Sequence, residues 1–220
     1  SNPDVNLRAK TYSTLFEKGK SSGAMAKAIS SICEDVSKGV DDGHSVIILS
    51  DRGVDEDHIP IPSLLAISSV HHHLIRKGQR MKVGIILESG EPREVAHIAC
   101  LISYGAAAVN PYLVFETMEQ IVSSLTPETK IDYLTAEKNY IKAVHKGILK
   151  VMSKMGISTI TSYRGAQIFE CVGLNQDVVD KHFTWTPSRI EGIGLDDLEK
   201  ESRARHNSAY ASKGMPGSLD

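Results

Sequence analysis

HSVIILSDRG, residues 44–53, runs a β-branched apolar stretch straight into a charged pair and a glycine. A short apolar run bounded by turn residues reads as a buried strand. The quartet Ser50-Asp51-Arg52-Gly53 then lies at its carboxyl end. The pattern recurs downstream. MKVGIIL (81–87) leads into Glu88-Ser89-Gly90-Glu91, and AAAVN (106–110) ends in Asn110-Pro111-Tyr112. GISTITS (156–162) reads as a fourth strand, leaving through Tyr163-Arg164-Gly165.

Helical spacing fills the intervals. Residues 22–40 repeat Met25, Ala28, Ile29, Ile32 and Val36, and the stretch 63–76 is closed by Gly78. Further helices are predicted over 91–104, over 111–125 with Pro111 in the first turn, over 136–154 ending at Gly156, and over 164–173. Asp196 is placed to cap a last helix after EGIG (191–194). This β–α alternation predicts an α/β fold with a parallel sheet, either an incomplete (β/α) barrel or a doubly wound sheet. Both architectures hold ligands at the carboxyl ends of the strands. Asp51, Arg52, Glu88, Asn110, Tyr163 and Arg164 are therefore the candidate rim, suited to catalysis or to an interface between domains. Within it Asp51–Arg52 and Glu91–Arg93 could form simple ion pairs.

Composition narrows the classes. The 220 residues are 41% hydrophobic and 24% charged, with a formal net charge of −2, which does not point to nucleic acid or a membrane surface. The longest apolar runs are too short to span a bilayer. Nothing at the start of the chain reads as a secretory signal, and Cys33, Cys100 and Cys171 are scattered and odd in number, as expected of reduced thiols in the cytoplasm. The triplet His71-His72-His73 lies inside the predicted helix 63–76. Successive side chains there fan about 100° apart. Zinc on a helix needs histidines at i and i+4, so the triplet reads as scaffold with one ring turned inward, and no metal site is expected. No G-x-G-x-x-G, Walker A or G-x-S-x-G pattern is present. TSYRG (161–165) could aim backbone amides at an anion, which leaves open a free-standing small enzyme with a phosphate-ligand site at the strand ends.

ILSDRG (48–53), PIPSLLAISSVHHHLIRKG (60–78), ESGEPREVAHIACLISYGAAAVNPYL (88–113), NYIKAVHKGILKVMSKMGISTITSYRGAQIFECVGL (139–174) and TPSRIEGIG (186–194) resemble, in order, the central region of the glutamate synthase large subunit. The resemblance runs from about Ser45 to Tyr210. It implies an α/β domain between an N-terminal glutaminase domain and an FMN barrel, with a C-terminal β-helix beyond. It also implies that the whole enzyme binds FMN and an iron–sulfur cluster and makes two glutamates from glutamine, 2-oxoglutarate and reductant. A small NAD(P)H-oxidising subunit is a possible partner, and SYRGAQ (162–167) resembles the NAD(P)H-dependent type more than the ferredoxin-dependent one. The location implied is the cytoplasm, or a plastid in a plant.

On this reading residues 1–21 are an N-terminal extension, 22–205 the central domain and 206–220 a tail leading toward the FMN domain. The resemblance implies a glutaminase nucleophile that is a cysteine at the mature N-terminus, whereas this chain begins Ser1-Asn2-Pro3, and SNPDVN (1–6) and GMPGSLD (214–220) are expected to be edges of an excised segment. No catalytic, cofactor or metal residue carries over, and the segment by itself is expected to be inactive.

Overall fold

The structure, a computed structural model, describes residues 7–19, 22–124 and 131–210. Both expected edges, SNPDVN (1–6) and GMPGSLD (214–220), lie outside the described residues. The chain begins β1 (Ala9–Ser13), β2 (Leu15–Glu17), α1 (Ala24–Asp41), β3 (Val46–Ser50), β4 (His58–Pro60) and α2 (Ser63–Arg76). It continues β5 (Gly84–Glu88), α3 (Val95–Ser103), β6 (Ala108–Asn110), α4 (Tyr112–Ser124), α5 (Tyr133–Lys154) and α6 (Ile160–Tyr163). It closes with β7 (Cys171–Leu174), α7 (Gln176–His182), β8 (Ser188–Ile193) and α8 (Leu195–Ala209).

Four parallel strands in the order β1-β3-β5-β6 make the main sheet. Consecutive strands are neighbours, so right-handed crossovers carry α1, α2 and α3 to the same face. Burial follows this layout. Ile47, Leu49, Ile85 and Leu87 are at most 1% exposed and belong to one core with Met25, Ile29 and Val36 of α1 and Leu65, Ile67, Val70 and Leu74 of α2. Ile48 and Ile86, one residue out of phase, point the other way and are only partly covered. The sheet ends at β1 and β6 and does not close into a barrel. A second cluster joins Ile98 and Ala99 of α3, Ile148 and Met152 of α5, and Tyr163.

The remaining strands form two small ladders, β2 with β4 (antiparallel) and β7 with β8 (parallel, with irregular register). Helix α7 lies between the latter two in sequence and docks on α2. There the buried His182 ring meets Ser69 Oγ at 2.7 Å, and Ser68 Oγ donates to the His182 carbonyl.

Four stretches differ from the sequence reading. GISTITS is not a strand: Thr159 accepts from the Ser162 N–H and starts the single turn of α6. RGAQIFECVG is not a helix, because Gln167 turns left-handed at φ 55° and the chain then extends into β7. Residues 9–17, expected in an extension, supply β1 and β2, and α8 runs on to Ala209 in the expected tail. Strand β1 is an edge strand with only Tyr12 buried, so it lacks the continuous apolar run that marks its neighbours.

The histidine triplet goes three ways. His71 turns inward, where Arg80 Nε donates to its Nδ1 at 2.8 Å. His72 Nδ1 lies 2.9 Å from the Ser68 carbonyl, and His73 Nε2 lies 3.8 Å from Glu34. Gly105 holds the turn beneath them at φ 113°, where a Cβ would come within 2.3 Å of His71 Nδ1. No cluster of three or more potential metal ligands occurs among the described residues.

One long-range contact joins the ends of the chain. Helix α1 has no side-chain cap of its own, since Gly23 stands at its N-cap. The buried Glu199 of α8 accepts from Gly23 N and Met25 N, both at 3.1 Å, and pairs with Arg203 at 2.7 Å. Glu199→Ala should therefore cost about 3 kcal/mol, the scale for breaking a buried ion pair, read as a lower urea midpoint with an unchanged slope.

Acid should also unfold the protein through its buried imidazoles. Burial first, then Lys181, Arg76 and His72, lower His182 from 6.5 to about 4, and burial with Arg80, His72 and Arg164 lowers His71 to about 3. The unfolded chain thus takes up protons that the folded chain refuses, so stability is full above pH 6.5 and falls as pH drops from there toward 4. The melting temperature should fall over that window, and His182→Asn, which retains a polar group near Ser69 but does not titrate, should flatten part of the fall.

Candidate functional site

The parallel register sets Ser50 beside Glu88 and Glu88 beside Asn110, so three strand ends form one polar row. Glu88 sits at its centre. Its carboxylate accepts from Ser50 Oγ at 2.6 Å, Arg52 Nε at 2.7 Å and Asn110 Nδ2 at 3.4 Å. Burial raises its pKa, but the Ser50 and Arg52 hydrogen bonds and the Arg52 charge outweigh this and leave it below the usual value.

Asp51 turns into the fold and is 4% exposed. Its oxygens accept from Ser89 Oγ at 2.5 Å and from Gly90 N at 3.2 Å, and the Tyr112 hydroxyl approaches as well. Burial raises the Asp51 pKa and is only partly offset by these donors. Tyr112 is raised in turn by burial and by Asp51. Arg52, half-exposed, pairs with Glu88 rather than with Asp51, stacks 4.1 Å from the Tyr112 ring centroid and reaches Glu116 at 3.2 Å.

Glu91 does not pair with Arg93 but reaches back to α2, which starts at Pro62 without a side-chain cap of its own. Its Oε2 accepts from Ser63 N at 2.6 Å, where the helix dipole favours an anion.

The structure thus brings together Asp51, Arg52, Glu88 and Asn110. It separates Tyr163 and Arg164 from them. Tyr163 is fully buried in the second cluster and donates to the Ala99 carbonyl at 3.2 Å, with burial pushing its hydroxyl up to about 12. Its neighbour Gly165 bonds the Ser103 carbonyl at the end of α3, and Arg164 lies close enough to Arg80 and His71 to lower both. Arg80 in turn binds the Val83 and Gly105 carbonyls, just ahead of β5 and β6, so Arg164 belongs to the opposite end of the sheet. The expected strand GISTITS would have carried both residues to the rim; the α6 turn does not. Tyr112, read at the third strand end but not among the candidates, joins the rim with Glu116, which sequence reasoning missed although Pro111 opening a helix there was a signal for it.

The strand ends do not fit a phosphate, because two carboxylates line them and the guanidinium of Arg52 is engaged by Glu88 and Glu116. That donor set does not fit the phosphate of FMN either. Cys33, Cys100 and Cys171 do not fit the usual four-cysteine iron–sulfur site, since no group of three or more potential ligands comes together among the described residues.

Residues 2–175 match the family described as the glutamate synthase central domain. The chain belongs to that family. It is 46% identical over 205 residues to the NADPH glutamate synthase large chain of Bacillus subtilis, covering 93% of this chain and 13% of that one. It is 43% identical over 210 residues to ferredoxin-dependent glutamate synthase 1, chloroplastic/mitochondrial, of Arabidopsis thaliana, covering 90% of this chain and 13% of the relative. A solved flavocytochrome b2, the L230A mutant with benzoylformate, is similar over 61% of this chain and 31% of its own, at a TM-score of 0.49 and 17% identity. The chain is therefore a glutamate synthase central domain, about an eighth of these curated relatives' length, and the alternative of a free-standing phosphate-binding enzyme is not supported. No helix among the described residues is long and apolar enough to cross a membrane.

Arg52 and Asp51, adjacent in sequence, should differ sharply in what they contribute to stability. Arg52→Ala removes exposed ion pairs and should cost less than about 1 kcal/mol. Asp51→Ala strands the Ser89 and Gly90 donors in the interior and should cost about 2–3 kcal/mol. Urea unfolding of both variants checks the contrast.

Proposed function

We propose that this domain is the non-catalytic centre of a glutamate synthase large subunit. It joins the glutaminase domain to the FMN-bearing synthase domain and keeps their two sites in register. The polypeptide as a whole would convert glutamine, 2-oxoglutarate and reductant into two glutamates. The observation that carries this reading is the commitment of the strand-end carboxylates to donors within the chain. Glu88 is held by Ser50, Arg52 and Asn110, and Asp51 by Ser89 and Gly90. Such groups are poor acids, bases or nucleophiles but good at fixing orientation, as charged contacts between domains commonly do.

FMN and the iron–sulfur cluster would then reside in other domains, with the glutaminase domain, the FMN barrel and the β-helix as partners within one polypeptide. The reductant would be NAD(P)H, delivered by a small NAD(P)H-oxidising subunit; SYRGAQ (162–167) supports this over ferredoxin. The setting would be the cytoplasm, or a plastid if the source is a plant. Within the rim, Arg52, Glu88 and Asn110 would face a neighbouring domain, with the buried Asp51 bracing the loop behind them.

Two assays test the proposal. The 220-residue chain, supplied with glutamine, 2-oxoglutarate and reductant, should neither hydrolyse glutamine nor form glutamate above background. In the full-length polypeptide, Arg52→Ala should lower glutamine-dependent glutamate synthesis several-fold more than it lowers glutaminase activity, because the link between the sites loosens. Turnover by the chain alone, or equal loss of both activities, would overturn the reading.

A further inference from the structure

The sheet's far edge is unfinished. Strand β6 bonds β5 on one side only, and a groove of about 640 Å³ opens beside it, between α3, α4 and α5. Its walls are apolar, with Val109 from the strand, Ile102 from α3, Phe115 from α4 and Val144 and Leu149 from α5. Leu149 is 65% exposed. The groove is the uncovered mouth of the second hydrophobic cluster, since Ile98 and Ile148 belong to both.

One arginine lines this apolar surface at the end nearest α6. The Arg164 side chain makes no hydrogen bond or ion pair among the described residues, and its Nε is buried without an acceptor. Its electrostatic neighbours are themselves basic. Arg80 spends its guanidinium on His71, Val83 and Gly105, and no carboxylate is paired with either arginine among the described residues. Leaving a partly buried guanidinium unpaired is costly, and a well-placed anion offsets that cost.

We propose that the groove seats an apolar segment from another part of the same polypeptide, and that an Asp or Glu on this segment pairs with Arg164. The argument is one of complementarity. Apolar walls need an apolar occupant, and the unpaired guanidinium selects an occupant bearing one carboxylate. Relatives of this chain carry about seven-eighths of their length outside it, so the polypeptide has ample chain to supply the segment. The proposal deepens the interdomain reading and rests on it, but names a different face from the strand-end rim.

The test uses the full-length polypeptide with Leu149→Cys, measuring maleimide labelling at that position by peptide mass spectrometry. Labelling should be about tenfold or more slower than in the urea-unfolded protein, as when a covered site must open before it reacts. Adding Arg164→Glu should restore most of the unfolded-state rate, whereas Arg164→Lys should keep most of the protection. Should Arg164→Glu fail to fold, Arg164→Met, which suits an apolar wall, should still lose protection at least several-fold.

Rapid labelling of the introduced thiol in the otherwise native protein would mean an uncovered groove and would overturn the proposal. Protection indifferent to Arg164→Glu and Arg164→Met would overturn the carboxylate. Protection that appears only on adding inorganic phosphate would assign Arg164 to a free anion instead. Because labelling needs no turnover, a protected groove in a protein that makes no glutamate would count against the interdomain function alone, and not against the docked segment.

Discussion

Parallel strands that end level with one another force their last side chains into a row, and here the row includes a carboxylate. Glu88 stands between Ser50 and Asn110 because the register leaves it nowhere else to point. An unpaired carboxylate at a half-buried sheet end would weaken the strands that carry it. The neighbouring residues are the remedy. Ser50 donates from one side, Asn110 from the other, and Arg52 folds back from the loop after β3. Asp51 repeats the solution one layer deeper, drawing Ser89 and the Gly90 amide around itself and so fixing the loop after β5. With that loop fixed, Glu91 meets the start of α2. The strand-end loops are thus ordered by the need to satisfy two acids.

The helix ends obey a related constraint. Helices α1 and α2 begin at Gly23 and Pro62, neither of which offers a capping side chain, and each takes a glutamate from a distant part of the chain instead. Glu199 reaches α1 across 174 residues. Such caps do more than satisfy amides: they fix α8 against α1 and the β5 loop against α2, so that local helix formation and global packing depend on each other.

This division explains what the sequence disclosed. Strands β3 and β5 and helices α1, α2 and α5 carry apolar residues at the period of their structure, because each buries a face in the core, and that period is local. Asp51, Arg52, Glu88 and Asn110 were legible as a group because they follow such strands directly. Strand β1 was not legible, since an edge strand with one buried residue leaves little pattern. Stretch 156–162 misled because its β-branched Ile and Thr residues mimic a strand, while the Thr159 hydroxyl starts a helical turn. Glu91 and Glu199 as caps could not be foreseen. Their partners are chosen by the folded arrangement, and nothing in the adjacent residues announces them.

The two ends of the sheet therefore differ in kind. At the carboxyl ends, acids outnumber bases but each acid has found donors within the chain, and the surface that results is charged, ordered and self-sufficient. At the amino ends, Arg80 is satisfied by carbonyls and an imidazole, none of which returns a negative charge, and the Arg164 guanidinium beside it has no partner among the described residues. Burial and the Arg164 charge both lower the Arg80 pKa, the mark of a positive field that these neighbours do not cancel. A protein that neutralises one end of its sheet so thoroughly has the means to neutralise the other. That it does so only at the strand-end rim locates the unmet requirement beside β6, where the sheet is open and the walls are apolar. The rim can be ordered before any partner arrives; the groove at β6 is completed by one.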